Sequence, residues 1–149
     1  MEMVLFRNGI WDMLRKINES IDQVFRPLAD AHHITMMQMR LLMELYQGGD
    51  HTIGSLAKAL SLTGGNASSM CKRLEREGYL ARARDSGDER VVNLHLTEKG
   101  EEIVHNVEEC LDKRFRPFLQ EKYNQDFSTI YEGFRLLTQM LEEIKELAS

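Results

Sequence analysis

The stretch "RDSGDERVVNLHLTEKG", residues 84–100, decides how the chain is read. Its first half sets Asp, Ser and Gly between Arg84 and Arg90, the composition of a tight polar turn. Its second half alternates, with Val92, Leu94 and Leu96 placed to face a core and Val91, Asn93 and His95 to face out. The run just upstream, "YLARAR" at 79–84, alternates in the same way, so the whole reads as a β-hairpin with a charged tip. Thr97 then opens a helix whose apolar stripe is Ile103, Val107, Leu111, Phe115 and Phe118, with Pro117 kinking or ending it.

Working backwards from the hairpin, two short helical patterns lie close together. "HTIGSLAKALSL" has Thr52 as its cap and Ile53, Leu56, Ala57 and Leu60 on one face. After a tight turn, Thr63 caps "GGNASSMCKRLERE", whose Ala67, Met70, Cys71 and Leu74 point inward and whose Gly78 is placed to end it. Two short helices joined in this way form a helix-turn-helix. Before them, "ITMMQMRLLMELYQGG" begins with a capping box, Thr35 with Gln38, and with Ile34 set to staple onto Met39. Gly48 and Gly49 stop that helix.

Long helical patterns lie at both ends. Residues 5–28 carry one stripe, Ile10, Leu14, Ile17, Ile21, Val24 and Leu28, with Pro27 kinking the helix or beginning its end. A last helix from about Phe127 repeats Ile130, Phe134, Leu137, Leu141 and Ile144. The fold expected is mainly α with a small β-hairpin wing: a winged helix-turn-helix lobe over residues 35–100, with helical dimerisation regions at 1–34 and 101–149. Stripes this long with so little domain between them are expected to be buried against a second copy, since a monomer rarely leaves so large a patch exposed.

Charge is distributed unevenly. The net charge of −5 belongs entirely to residues 98–149, which hold seven basic against twelve acidic residues; residues 1–97 balance. Residues 72–90 hold six basic and five acidic side chains, so the positive tip works by placement and the chain should hold nonspecific DNA weakly. No stretch resembles a leader or approaches the roughly eighteen apolar residues of a membrane span, so a cytoplasmic location without membrane contact is expected. Cys71 and Cys110 lack a CxxC spacing and are expected to be reduced, small, buried apolar side chains. His32, His33, His51, His95 and His105 form no metal-ligand spacing, so neither a metal nor a cofactor is expected. Without a nucleophile elbow, phosphate loop, HExxH or paired acidic motif, an enzyme is not expected either.

Three pieces, "TIGSLAKALSLT", "CKRLEREGYLARARD" and "DERVVNLHLTEKG", together resemble the multiple-antibiotic-resistance regulator (MarR) family of winged-helix transcription factors, most closely from Ile34 to Gly100. The third is the most specific: the family's wing has Asp-x-Arg at its tip and a strand ending in Leu-Thr-x-x-Gly, supplied here by Asp88, Arg90, Leu96, Thr97 and Gly100. The resemblance implies a homodimer joined through the terminal helices and bound to a pseudo-palindromic double-stranded operator. Recognition helices would enter adjacent major grooves and wings the flanking minor grooves. It also implies a small-molecule or redox signal that weakens DNA binding; a repressor is expected rather than an activator, because occupying a promoter needs no further surface. Two departures matter: Glu89 stands where relatives often carry an arginine, and Ser69 where many carry a larger side chain, so the operator preference is this chain's own.

Within that frame Thr63, Gly65, Asn66, Ser68 and Ser69 lie where a recognition helix meets base edges and offers free N–H groups to phosphate. Gly64 and Gly65 admit a close backbone approach. Lys72, Arg73 and Arg76 form the helix's basic rim; Arg73 also stands four residues before Glu77, the spacing of an ordinary solvated ion pair. Arg90 suits a narrow minor groove, Asp88 holds the wing and orients an arginine, and Arg82 and Arg84 face backbone phosphate. The methionine-rich run 36–43 is by default core, but the resemblance places an effector pocket nearby. Trp11, Leu14, Met36, Met39 and Met43 are its expected lining, for a small apolar or aromatic-acid effector. The competing reading is a winged-helix protein-interaction module that binds no DNA.

Overall fold

The computed structural model describes residues 3–85, 87–88 and 90–147, with the backbone alone at 3, 5 and 6. Six helices and one hairpin follow in the order α1 (Met3–Ala31), α2 (Met36–Gly48), α3 (Ile53–Ala59), α4 (Gly64–Arg76), β1 (Leu80–Arg84), β2 (Val92–Leu96), α5 (Glu98–Tyr123) and α6 (Phe127–Leu147). The chain forms two compact units, one up to Val107 and one from Glu108 onward.

Local chemistry sets the boundaries. Thr35 Oγ1 accepts from Gln38 N at 3.2 Å and Gln38 Oε1 from Thr35 N at 2.9 Å, a complete capping box, with Ile34 and Met39 buried beside it. Thr52 and Thr63 cap α3 and α4 through Ser55 N and Asn66 N. The turn between these two helices is closed by Ser61 at φ 54°, with Leu62 N donating to Ala57 O at 2.8 Å, a left-handed helix ending made without glycine. At the end of α4 the same motif uses Gly78 at φ 82°: Tyr79 N donates to Leu74 O at 2.9 Å and Gly78 N to Glu75 O at 3.0 Å.

The core of the first unit lies where α2, α3, α4 and the hairpin meet, around the fully enclosed Leu41, Leu42, Leu56, Leu74 and Leu94. β1 and β2 pair antiparallel in the register Leu80↔Leu96, Arg82↔Leu94 and Arg84↔Val92. His51 adds a third, one-residue strand: its N donates to Leu94 O at 3.2 Å, and its carbonyl accepts from Leu94 N at 2.7 Å.

Two expectations about packing need correction. Val92 is exposed, because the hairpin runs out beyond the helices and only its base, at Leu80 and Leu94, has a layer to pack on. Cys71 is buried as expected, but Cys110 is exposed on α5. Of the two outcomes expected at the prolines, an abrupt end is not the one found: Pro27 and Pro117 stand inside their helices, which continue to Ala31 and to Tyr123. The apolar stripes of the second unit are left uncovered. α6 buries no residue, and Ile130, Phe134, Leu141 and Ile144 stay more than two-fifths exposed. No helix among the described residues is long and apolar enough to cross a membrane.

Candidate nucleic-acid interface

Helix α4 has two faces. Ala67, Cys71 and Leu74 are fully enclosed and anchor it to the core, so its register is fixed by the same residues that hold the lobe together. Thr63, Gly64, Gly65, Asn66, Ser69, Lys72, Arg73 and Arg76 are exposed on the other side, with Ser68 half-buried at the margin. A Cβ added at Gly64 or Gly65 would meet nothing within 4 Å, and neither has a positive φ. The fold therefore has no steric use for two glycines in the first turn of a helix, where they are poorer helix formers than alanine. The free N–H groups and positive dipole end of this turn point into open solvent.

The basic rim is partly engaged within the chain. Arg73 Nε lies 3.0 Å from Glu77 Oε1, the ordinary i,i+4 pair, with its side chain half-exposed. Arg82, expected beside DNA backbone, turns instead toward α4: its Nε lies 3.0 Å from Glu75 Oε2, and its Nη2 is buried without a partner. This pair crosses from helix to strand and ties the wing to α4. It also bears on Cys71, whose thiol is pushed up chiefly by burial, an effect the nearby Arg82 opposes and Glu75 reinforces. A thiol so placed is an inert core group.

At the wing, Asp85 organises the turn. Its Oδ1 accepts from Gly87 N at 2.8 Å and Asp88 N at 3.1 Å, and its Oδ2 accepts from Asn93 Nδ2 at 3.1 Å. These bonds, the backbone pair above all, hold the Asp85 carboxyl below the usual carboxylate range. Asp88 Oδ1 accepts from the backbone N of Arg90 at 3.0 Å, and Val91 N returns to Asp88 O at 2.9 Å. Arg90 and Arg84 are exposed at this end. Glu89, which stands where relatives often carry an arginine, lies outside the described residues.

Residue reading missed three participants. Asp85 carried a local signal, an Asp two residues before Gly in a turn. The Glu75–Arg82 pair and the His51 bridge carried none, since each depends on elements brought together only by the tertiary fold. His51 is fixed further by Ser55 Oγ at 3.0 Å from its Nδ1 and Glu44 Oε1 at 3.7 Å from its Nε2. For the expected effector lining the placement is mixed. Trp11 is exposed, Leu14, Met36 and Met43 are half-buried, and Met39 is sealed in the core. Among the described residues no cluster of His, Cys, Asp and Glu could hold a metal ion.

A helix-turn-helix whose second helix is anchored on one side and bare on the other, followed by a pinned two-stranded wing, defines the winged-helix transcriptional regulators. Residues 23–107 match the family described as transcriptional regulator SarA/Rot, and the chain belongs to this family, a regulator of MarR type. Among similar proteins, the HTH-type transcriptional regulator YsmB of Bacillus subtilis is 33% identical over 113 residues, covering 73% of this chain and 77% of its own. A MarR family protein from Bacillus stearothermophilus superimposes with a TM-score of 0.76 at 27% identity, over 95% of this chain and 99% of that one. A mutant of S. aureus MepR bound to an oligodeoxyribonucleotide does so with a TM-score of 0.62 at 25% identity, over 91% and 97%.

Proposed function

We propose that the protein is a cytoplasmic homodimeric repressor that reads a pseudo-palindromic operator with two copies of α4 and of the wing. The observation that carries this reading is the bare face of α4: two glycines without an internal purpose, flanked by small polar side chains and rimmed by Lys72, Arg73 and Arg76. Gly64 and Gly65 let a phosphate approach the backbone N–H groups, Asn66, Ser68 and Ser69 meet base edges, and the basic rim and Arg84 neutralise phosphate. Arg90 enters the minor groove, and Asp88 holds its backbone. Arg82 acts through Glu75 and shapes the wing. The MepR neighbour solved with an oligodeoxyribonucleotide supports DNA as the partner.

The residues at 1–34 and 101–149 supply the dimer contacts, supported by the uncovered stripes on α1 and α6. Apolar surface left by Trp11, Leu14, Met36 and Met43, with Met39 beneath, accepts a small apolar or aromatic-acid effector that lowers DNA affinity.

A salt series with the duplex enriched by the protein from a randomised pool tests the reading. Log affinity should fall linearly with log salt, with a slope of about −0.9 per phosphate neutralised. Absence of any salt-dependent duplex binding would sink it and favour a protein-interaction module. Quenching of Trp11 fluorescence by aromatic acids tests the effector site; unchanged emission across the series removes it.

A further inference from the structure

The Leu-Thr-x-x-Gly segment joins two helix ends. The three residues that follow α4, Glu77, Gly78 and Tyr79, each have their carbonyl taken by the start of α5. Lys99 Nζ donates to Glu77 O at 2.8 Å, Thr97 Oγ1 to Gly78 O at 2.6 Å, and Thr97 N to Tyr79 O at 3.1 Å. The same Thr97 hydroxyl accepts from Gly100 N at 3.2 Å, so it caps α5 while donating to the end of α4. Capping alone needs only the last of these bonds. The Lys99 ammonium also lies 4.4 Å from the centre of the Tyr79 ring. A Cβ on Gly100 would stand 2.0 Å from Tyr79 O, a backbone atom that cannot swing aside, so only glycine lets the ends meet this closely.

We propose that Thr97 and Lys99 are positioning residues for operator reading: they fix the direction of α4 on the first turns of α5, so that displacement of α5 tilts the bare face of α4. The inference rests on the reading of α4 as the DNA-contacting helix. It assigns Lys99, an exposed cation close to the basic rim, to a carbonyl and a ring rather than to phosphate.

The test compares Thr97→Val, Thr97→Ser and Lys99→Met. Partial unfolding lowers affinity for every duplex by one common factor, so the readout is the ratio of affinities for the enriched duplex and a scrambled one. Thr97→Val and Lys99→Met should each lower that ratio about fivefold or more, the worth of one hydrogen bond, with the salt slope unchanged and Thr97→Ser close to wild type. In the free protein, Thr97→Val should shift amide signals along α4 as far as Ser69. An unchanged ratio, or shifts confined to residues 77–79, overturns the proposal. So does an equal loss of affinity for both duplexes in Lys99→Met with the slope reduced by about 0.9, which makes Lys99 a phosphate contact. A wild-type protein that binds neither duplex, while Thr97→Val still moves the α4 signals, removes the DNA reading and keeps the coupling between the helices.

Discussion

Asp85 shows how much of the wing depends on one carboxylate. Its two oxygens accept from Gly87, Asp88 and Asn93, bonds that favour the ionised form and hold its pKa below the ordinary value. A depressed folded pKa contributes order that is complete above the unfolded value, near 3.9 for aspartate, and is lost as pH falls through the folded one. The Gly87 and Asp88 amide signals should therefore stay constant through neutral pH and titrate only below about 3.9. A midpoint above that value would contradict the assignment. Asp85→Ala should speed amide exchange at both positions at neutral pH. Arg90 is the opposite kind of residue, exposed and unneeded by the core. Arg90→Ala should leave the melting temperature unchanged and weaken operator binding by roughly 1–3 kcal/mol, the scale of one good DNA contact, as read by fluorescence anisotropy. Equal affinities would take the wing tip out of recognition.

At the scale of elements, the same substitution should have opposite consequences on two helices. In α5, Gly100→Ala drives a methyl group into the Tyr79 carbonyl, 2.0 Å from its ideal position, and should cost on the order of 3 kcal/mol in urea denaturation. In α4, Gly64→Ala meets nothing within 4 Å and should stabilise the lobe by up to about 1 kcal/mol through helix propensity. On the proposed reading the added methyl would stand where a phosphate approaches, so operator affinity should fall while stability rises. A Gly64→Ala protein that binds as tightly as wild type would show that α4 does not approach DNA through its first turn. The distinction lies in what each glycine faces: backbone of its own chain at Gly100, open solvent at Gly64.

For the whole molecule the uncovered stripes dominate. Ile130, Phe134, Leu141 and Ile144 are each more than two-fifths exposed. Covering them gains about 1 kcal/mol per side chain, or about 8 kcal/mol for two copies. Association costs on the order of 4–15 kcal/mol, so these residues alone do not secure the proposed dimer, which would have to cover the Ile21 and Val24 surface of α1 as well. Phe134→Asp should shift the sedimentation coefficient at micromolar concentration from dimer to monomer and abolish operator binding; a variant that stays dimeric would remove α6 from the interface. The two half-sites should protect regions about 10–10.5 base pairs apart, centre to centre, in a footprint.

Local patterning was enough to place every helix and both strands, because caps such as Thr35, Thr52 and Thr63, the ending at Gly78 and the alternation in 91–96 act over a few residues. The exposed face of α4 was legible for the same reason, since burial at Ala67, Cys71 and Leu74 leaves the other side of a 3.6-residue period in solvent. What only the tertiary structure decided are contacts between segments distant along the chain or between separate elements. Arg82 turns to Glu75 and away from solvent, His51 joins the wing, and Val92 finds no layer to cover it. Thr97 and Lys99 take the carbonyls that end α4. Such contacts are set by where whole elements pack, and periodicity, which reports only which side of each element is apolar, carries no record of them.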